Sequence, residues 1–174
     1  GTKDHVNPIM GERVWGVTDE DVFDRANAEF EQLDRGGPFF GIILTLSKHA
    51  PFDLAEPVAF ERTSDMGELN KRVDAIRYAD WAIGRFIEQA RKQKYFLNTL
   101  FVFIGDHGFH VDPKLTETHL LFHHVPLLFY SPLLSSRKLV IDSPAGQVDV
   151  VPTILGLLGI QSPRACWGRD LFSS

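Results

Sequence analysis

Asp106 and His107 stand side by side between two glycines, in the run Gly105-Asp106-His107-Gly108. A carboxylate and an imidazole adjacent on a turn can both reach one cation, because the backbone there is not held in a ladder. Their mixed oxygen and nitrogen donors suit manganese, zinc or magnesium better than an all-oxygen calcium cage. The pair also reads as a strand-ending turn whose aspartate accepts backbone amides, since two ligands alone do not make a site. His49, in a polar loop ending His49-Ala50-Pro51-Phe52, can donate a hydrogen bond to a substrate oxygen; the plainer reading is a loop histidine bonded to a carbonyl. Five of the seven histidines fall between positions 107 and 124, and His119 and His123 are four apart. That segment has no clear helical pattern, so surface loop histidines account for it more simply than a metal cluster, with His110 the nearest spare donor. The roles of His110, His119, His123 and His124 stay open. Cys166 has no base beside it and is a poor nucleophile.

The elements that must position these residues follow from periodicity. Thr18 with Asp21 three residues on forms a capping pattern, apolar Val22, Phe23, Ala26, Phe30 and Leu33 follow at helical spacing, and Gly36-Gly37-Pro38 stops the helix. Phe39 to Leu46 is a nearly continuous apolar run, the pattern of a strand buried on both faces. From about Met66 to Lys94, Leu69, Val73, Ile76, Ile83, Ile87 and Ala90 mark a long helix whose apolar stripe is interrupted by Asp80. A carboxylate on such a stripe must find donors, so Asp80 is expected to be buried and bonded to loop groups. Further strands are expected at Leu100–Ile104, Val125–Tyr130 and Leu139–Ile141, and a last helix from Val150 to Leu158, capped by Asp149 and closed by Gly159. Strand, long helix and strand in that order predict a βαβ unit, and hence an α/β fold with a mainly parallel sheet flanked by helices. Ligand chemistry gathers outside the carboxyl ends of such strands, where both His49 and the Asp106-His107 pair are expected on one edge.

Composition narrows the function classes. The chain has 174 residues, 44% of them hydrophobic and 24% charged, with a net charge of −5. That is the make-up of a soluble globular domain, without the basic footprint that nucleic acid requires. One cysteine excludes an internal disulfide framework or a multi-cysteine zinc site. No stretch reaches the ~18 apolar residues of a membrane span, and the polar start is not a signal peptide. Both ends read as cut from a longer chain.

Six motifs in consistent order resemble the sulfatase family of the alkaline phosphatase superfamily, in its lipoteichoic acid synthase and phosphoglycerol transferase branch. They are Trp15-Gly16-Val17-Thr18-Asp19-Glu20-Asp21, the run Leu44 to Phe52, Tyr78 to Gly84, Asn98 to Gly108, His124 to Pro132, and Val148-Asp149-Val150-Val151-Pro152-Thr153-Ile154-Leu155. The resemblance implies an alkaline-phosphatase-like fold, Asp106 and His107 as metal ligands, and His49 in contact with a phosphate or sulfate group or its leaving oxygen. The implied cofactor is a divalent cation, manganese first, with magnesium, zinc and calcium as alternatives. The family's hydroxyl or formylglycine nucleophile and further acidic ligands belong to its N-terminal half, so residues 1–174 would be the C-terminal part of a catalytic domain. Ser162-Pro163-Arg164-Ala165-Cys166 does not match, in order, the Cys-x-Pro-x-Arg setting of formylglycine.

The expected function is therefore a metal-dependent hydrolase or transferase of phosphate or sulfate esters, phosphoglycerol transferase-like, with this chain alone inactive for lack of its nucleophile. Its substrate would be an ester, lipid- or glycan-linked, handled on the extracytoplasmic face of the membrane or in the periplasm, with membrane attachment only through a segment outside these residues. A sulfuric ester hydrolase proper is the alternative. From another class, the alternative is a non-catalytic α/β binding module in which Asp106-His107 is only a turn.

Overall fold

The structure, a computed structural model, describes residues 16–54, 56–108, 116, 118–134, 138–161, 163 and 165–173. They belong to two units, Gly1–Leu134 and Ser135–Ser174. In the first, helix α1 (Asp19–Asp34) starts where the sequence places its cap: the Thr18 hydroxyl accepts from the Asp21 amide at 3.4 Å and donates to the Asp21 carboxylate at 2.8 Å. Asp19, Glu20 and Asp21 in its first turn complement the positive end of the helix dipole. The chain leaves the helix through Gly37, whose φ of 119° strongly favours glycine.

Helix α2 (Asn70–Ala90) follows a short 3-10 turn at Gly67–Leu69 and precedes another at Lys94–Asn98. Its buried face matches the aliphatic stripe expected from the sequence only toward its C-terminus, where Ala90 is buried and Ile83 and Ile87 pack against the core. Ala75, Tyr78, Ala79, Ala82, Phe86 and Ala90 face inward, while Ile76 is exposed. Small alanines let α2 approach α1 closely, and the aromatic rings fill the remaining space. Asp80 is exposed, which corrects the expectation for it. The buried carboxylate of α2 is Asp74, 2% exposed. It accepts from the Thr63 amide at 2.9 Å and lies 3.5 Å from the Arg62 guanidinium.

Phe23 stacks on Phe86 at 4.9 Å between ring centroids, and Phe86 meets Phe101 edge-on at 6.0 Å. With Tyr95 and Phe96 these rings make the main core. A fully buried aromatic of this kind contributes ~1.5–3 kcal/mol, whereas an exposed ion pair such as Lys71–Asp53 at 3.2 Å gives roughly 0–1 kcal/mol. Burial therefore dominates. Polar ties fix the packing: the Tyr95 hydroxyl donates to the Asn27 side-chain oxygen, the Asn27 amide to Gln89 at 3.0 Å, and the Tyr78 hydroxyl to Glu20 at 2.8 Å.

Strand β1 (Phe101–Ile104) pairs with β2 (Leu127–Tyr130), with Phe101 opposite Tyr130 and Ile104 opposite Leu127. The pairing is antiparallel, and the parallel partner expected for β1 across the long helix, Phe39–Leu46, joins no ladder among the described residues. Between the two strands the described residues hold only the one-turn helix α3 (Leu120–His123), with no crossover helix to return the chain in the same direction. Among the described residues Phe39–Leu46 has no strand pairing; Phe39 and Ile43 pack against the core, and Phe40, Ile42 and Leu44 are exposed.

The second unit holds α4 (Val150–Leu157). Gly159, with a φ of 67°, closes it as expected. Asp149 stands at its start, but its carboxylate accepts from the Gly146 amide at 2.8 Å and the Arg169 amide at 2.8 Å instead of capping α4. These two bonds hold its carboxyl below the ordinary value. Thr153, fully buried, donates to the Asp149 carbonyl and accepts from the Leu171 amide. Leu139–Ile141 is not a strand, and Leu139 and Val140 are exposed.

Candidate active site

The site begins with the approach of Phe39–Leu46. A Cβ at Gly41 would lie 2.5 Å from the Phe30 ring, so only glycine lets this segment lie against α1 without displacing that ring. Where the segment ends, the carboxylate of Asp19 accepts from the amides of Leu46 and Ser47 at 3.1 and 2.9 Å, and the Asp19 amide donates to the Ser47 hydroxyl at 3.1 Å. The turn that follows is closed by the His49 amide on the Leu46 carbonyl at 3.1 Å and the Phe52 amide on the His49 carbonyl at 2.9 Å. Phe52 takes a left-handed φ of 61°, uncommon for a bulky residue, and its ring lies 5.5 Å from the Arg72 guanidinium.

The second turn leaves β1. Its Gly105 amide donates to the Pro126 carbonyl at 3.1 Å. The Asp106 Oδ1 accepts from the His107 amide at 2.9 Å, and Oδ2 lies 3.6 Å from His107 Nε2. His107 Nδ1 is 2.6 Å from the Gly108 carbonyl. A carbonyl can only accept, so Nδ1 carries the proton and Nε2 of the neutral ring presents its lone pair. Gly108 is itself fixed: its amide donates to the Phe122 carbonyl at 3.0 Å, and a Cβ there would lie 2.5 Å from that same oxygen.

The two turns meet. The rings of His49 and His107 lie 6.3 Å apart between centroids, at 78° to one another. Both residues and Asp106 are exposed, so a ligand can reach them. Of the other histidines, His119 uses Nδ1 to accept from the Leu121 amide at 3.2 Å, capping α3, and the His123 ring lies against Phe122 at 5.9 Å. His110 lies outside the described residues. Among the described residues no three His, Cys, Asp or Glu side chains converge as a metal cage. Beside the site, burial would push the Asp74 carboxyl up, but the Thr63 amide and hydroxyl and the Arg62 charge hold it below its ordinary value. The hydrogen bond from Arg62 does the same for Glu56. These residues pin the loop after Phe52 onto α2. Sequence reasoning missed the Asp19 clamp and the Gly108 contact; both depend on pairings remote in sequence.

The Sulfatase family profile matches residues 2–160. The chain belongs to the sulfatase family. Lipoteichoic acid synthase-like YvgJ of Bacillus subtilis is 28% identical, over 97% of this chain and 30% of that protein. Lipoteichoic acid synthase of Staphylococcus aureus is 29% identical, over 91% of this chain and 26% of the relative. A solved structure of a protein in the alkaline phosphatase superfamily from Vibrio parahaemolyticus superposes with a TM-score of 0.86 at 34% identity, covering 99% of this chain and 41% of that one. The alkaline-phosphatase-like α/β class expected from the sequence is thereby borne out. This sulfatase-family chain spans less than half the length of each of these relatives.

Proposed function

We propose that this chain is the C-terminal part of the catalytic domain of a metal-dependent sulfatase-family enzyme that transfers the phosphoryl-linked group of a phosphate ester, in the manner of a phosphoglycerol transferase. The observation that carries the reading is the 6.3 Å approach of the His49 and His107 rings from two turns more than fifty residues apart in sequence. Relatives named for lipoteichoic acid synthesis favour a phosphate over a sulfate ester, lipid- or glycan-linked, and a working place on the extracytoplasmic face of the membrane. The exposed, alternating Phe40, Ile42 and Leu44 support the view that further polypeptide covers this segment.

Asp106 and His107 would hold the divalent cation. The donor set fits: an anionic oxygen and an imidazole lone pair lie 3.6 Å apart, near enough for both to face one cation. Manganese is the ion proposed first, on the family resemblance, with magnesium, zinc and calcium as alternatives. When bound, the cation supplies Lewis acidity that offsets charge on the transferred group. His49, outside the ligand pair, donates a ring N–H to an ester oxygen and stabilises negative charge developing there. The hydroxyl nucleophile comes from residues beyond these 174.

The test uses the intact parent protein and a nitrophenyl phosphodiester. His49→Ala lowers kcat roughly 10²–10³-fold with manganese affinity unchanged, whereas Asp106→Ala weakens manganese binding itself; the isolated chain has no measurable turnover. Equal metal loss in both variants removes the separate roles, and full turnover by the isolated chain removes the fragment reading.

A further inference from the structure

We propose that Asp19 is a positioning residue that sets the place of His49. The assignment rests on the reading that His49 contacts the ester, and its geometry stands apart from that reading. Asp19 is 1% exposed, and its second carboxylate oxygen, Oδ2, is buried with no hydrogen-bond partner among the described residues. A buried carboxylate with an orphan oxygen is costly, so its retained place in the fold calls for a compensating contact. The other oxygen makes that contact, gathering the Leu46 and Ser47 amides at 3.1 and 2.9 Å. The Asp19 amide returns a bond to the buried Ser47 hydroxyl. Gly16 leaves room for the same stretch, since a Cβ there would stand 3.2 Å from the Leu46 side chain.

The clamp therefore fixes the backbone from which the His49 turn springs. The His49 amide is bonded to the carbonyl of Leu46, whose own amide Asp19 holds. Charge-assisted bonds of this kind are about twice as strong as neutral ones, and the first turn of α1 offsets part of the carboxylate's burial through its positive dipole end. Asp19 acts on His49 through the backbone, by the amides of Leu46 and Ser47 and the Leu46 carbonyl that the His49 amide meets. A shift of about 1 Å in that turn is enough to cost a reaction roughly 10²-fold.

The experiment is nuclear magnetic resonance on the chain with labelled histidines. The wild type gives a cross-peak between the His49 and His107 ring protons and slow exchange of the Leu46 and Ser47 amides. Asp19→Ala abolishes the cross-peak and speeds those two amides about 10- to 100-fold, the equivalent of one hydrogen bond to a charged group, leaving the β1–β2 amides unchanged. Asp19→Asn, which keeps the accepting oxygen, preserves both signals. Retention of the cross-peak in Asp19→Ala, or failure of Asp19→Asn to preserve it, overturns the proposal. Should Asp19→Ala not fold, wild-type exchange decides: protection of Leu46 and Ser47 like that of the β1–β2 ladder upholds the clamp, and loop-like exchange overturns it. In the intact enzyme, Asp19→Ala lowers kcat and adds little to His49→Ala, because both act through one group; fully additive losses contradict the assignment. A fully active His49→Ala enzyme with the spectral results intact would defeat the functional reading and leave the positioning role standing.

Discussion

Gly108 is where one methyl group would displace the candidate site. Its Cβ would stand 2.5 Å from the Phe122 carbonyl oxygen, which belongs to backbone and cannot swing aside. Gly108→Ala should lower stability by ~1–3 kcal/mol through overpacking and shift the His107 ring signals, as thermal melting and histidine spectra would register. Asp74 and Asp80 make a second residue-scale contrast. Asp74→Leu leaves the Thr63 amide without its acceptor and should cost ~1–3 kcal/mol. Asp80→Leu, at an exposed position, should change stability by no more than about 0.5 kcal/mol. Because the folded Asp74 carboxyl titrates below its ordinary value, its contribution is present above the unfolded value and lost as pH falls through the folded one. Urea midpoints at neutral and acid pH for wild type and Asp74→Asn would measure that loss. His49 and the Asp106-His107 pair were legible in the sequence because each follows an apolar run. Asp74 was not, because its burial depends on the Thr63 amide and the Arg62 guanidinium, which the loop before α2 brings to it.

At the scale of elements, helix ends were more legible than faces or pairings. Thr18 and Gly37 act through local chemistry, so α1 begins and ends where its sequence says. The face of α2 is decided by alanines against Phe23 and the Tyr95 region, and the aliphatic stripe marks only its later part, Ile83, Ile87 and Ala90. Strand direction depends on the connection: no crossover helix links β1 to β2 among the described residues, and the ladder is antiparallel. Between α1 and the 3-10 turn after α2, the Tyr95 hydroxyl donates to Asn27, and burial pushes its ionisation up to about 12. Tyrosine ionises at about 10 when unfolded. The bond's contribution is therefore complete below about pH 10 and lost as pH rises through the folded value. Tyr95→Phe should cost ~1–3 kcal/mol at neutral pH by orphaning the Asn27 oxygen, and should lose less stability than wild type between pH 10 and 12, as denaturant midpoints over that range would report.

At the scale of the molecule, the two units are stabilised differently. Gly1–Leu134 has a core of stacked aromatic rings, and Ser135–Ser174 is knitted by Asp149 and Thr153 through backbone amides from 146, 169 and 171. Two glycines permit that knitting: a Cβ on Gly168 would stand 1.9 Å from the Val148 carbonyl oxygen, and one on Gly156 2.0 Å from the Asp170 carboxylate. The candidate site lies wholly in the first unit, and two of its elements carry metal or substrate chemistry in the proposed account. No helix among the described residues is long and apolar enough to cross a membrane. The measurement that tests this account most directly is a manganese titration of the chain with histidine rings labelled at Cε1, because a paramagnetic ion broadens nearby signals even when it binds weakly. The account predicts that His107 broadens first and His49 with it, and His119, His123 and His124 only at higher manganese, that a chelator restores the spectrum, and that Asp106→Ala removes the effect. Broadening that spares His107, or that spreads evenly over the histidines of the 119–124 stretch, would contradict it.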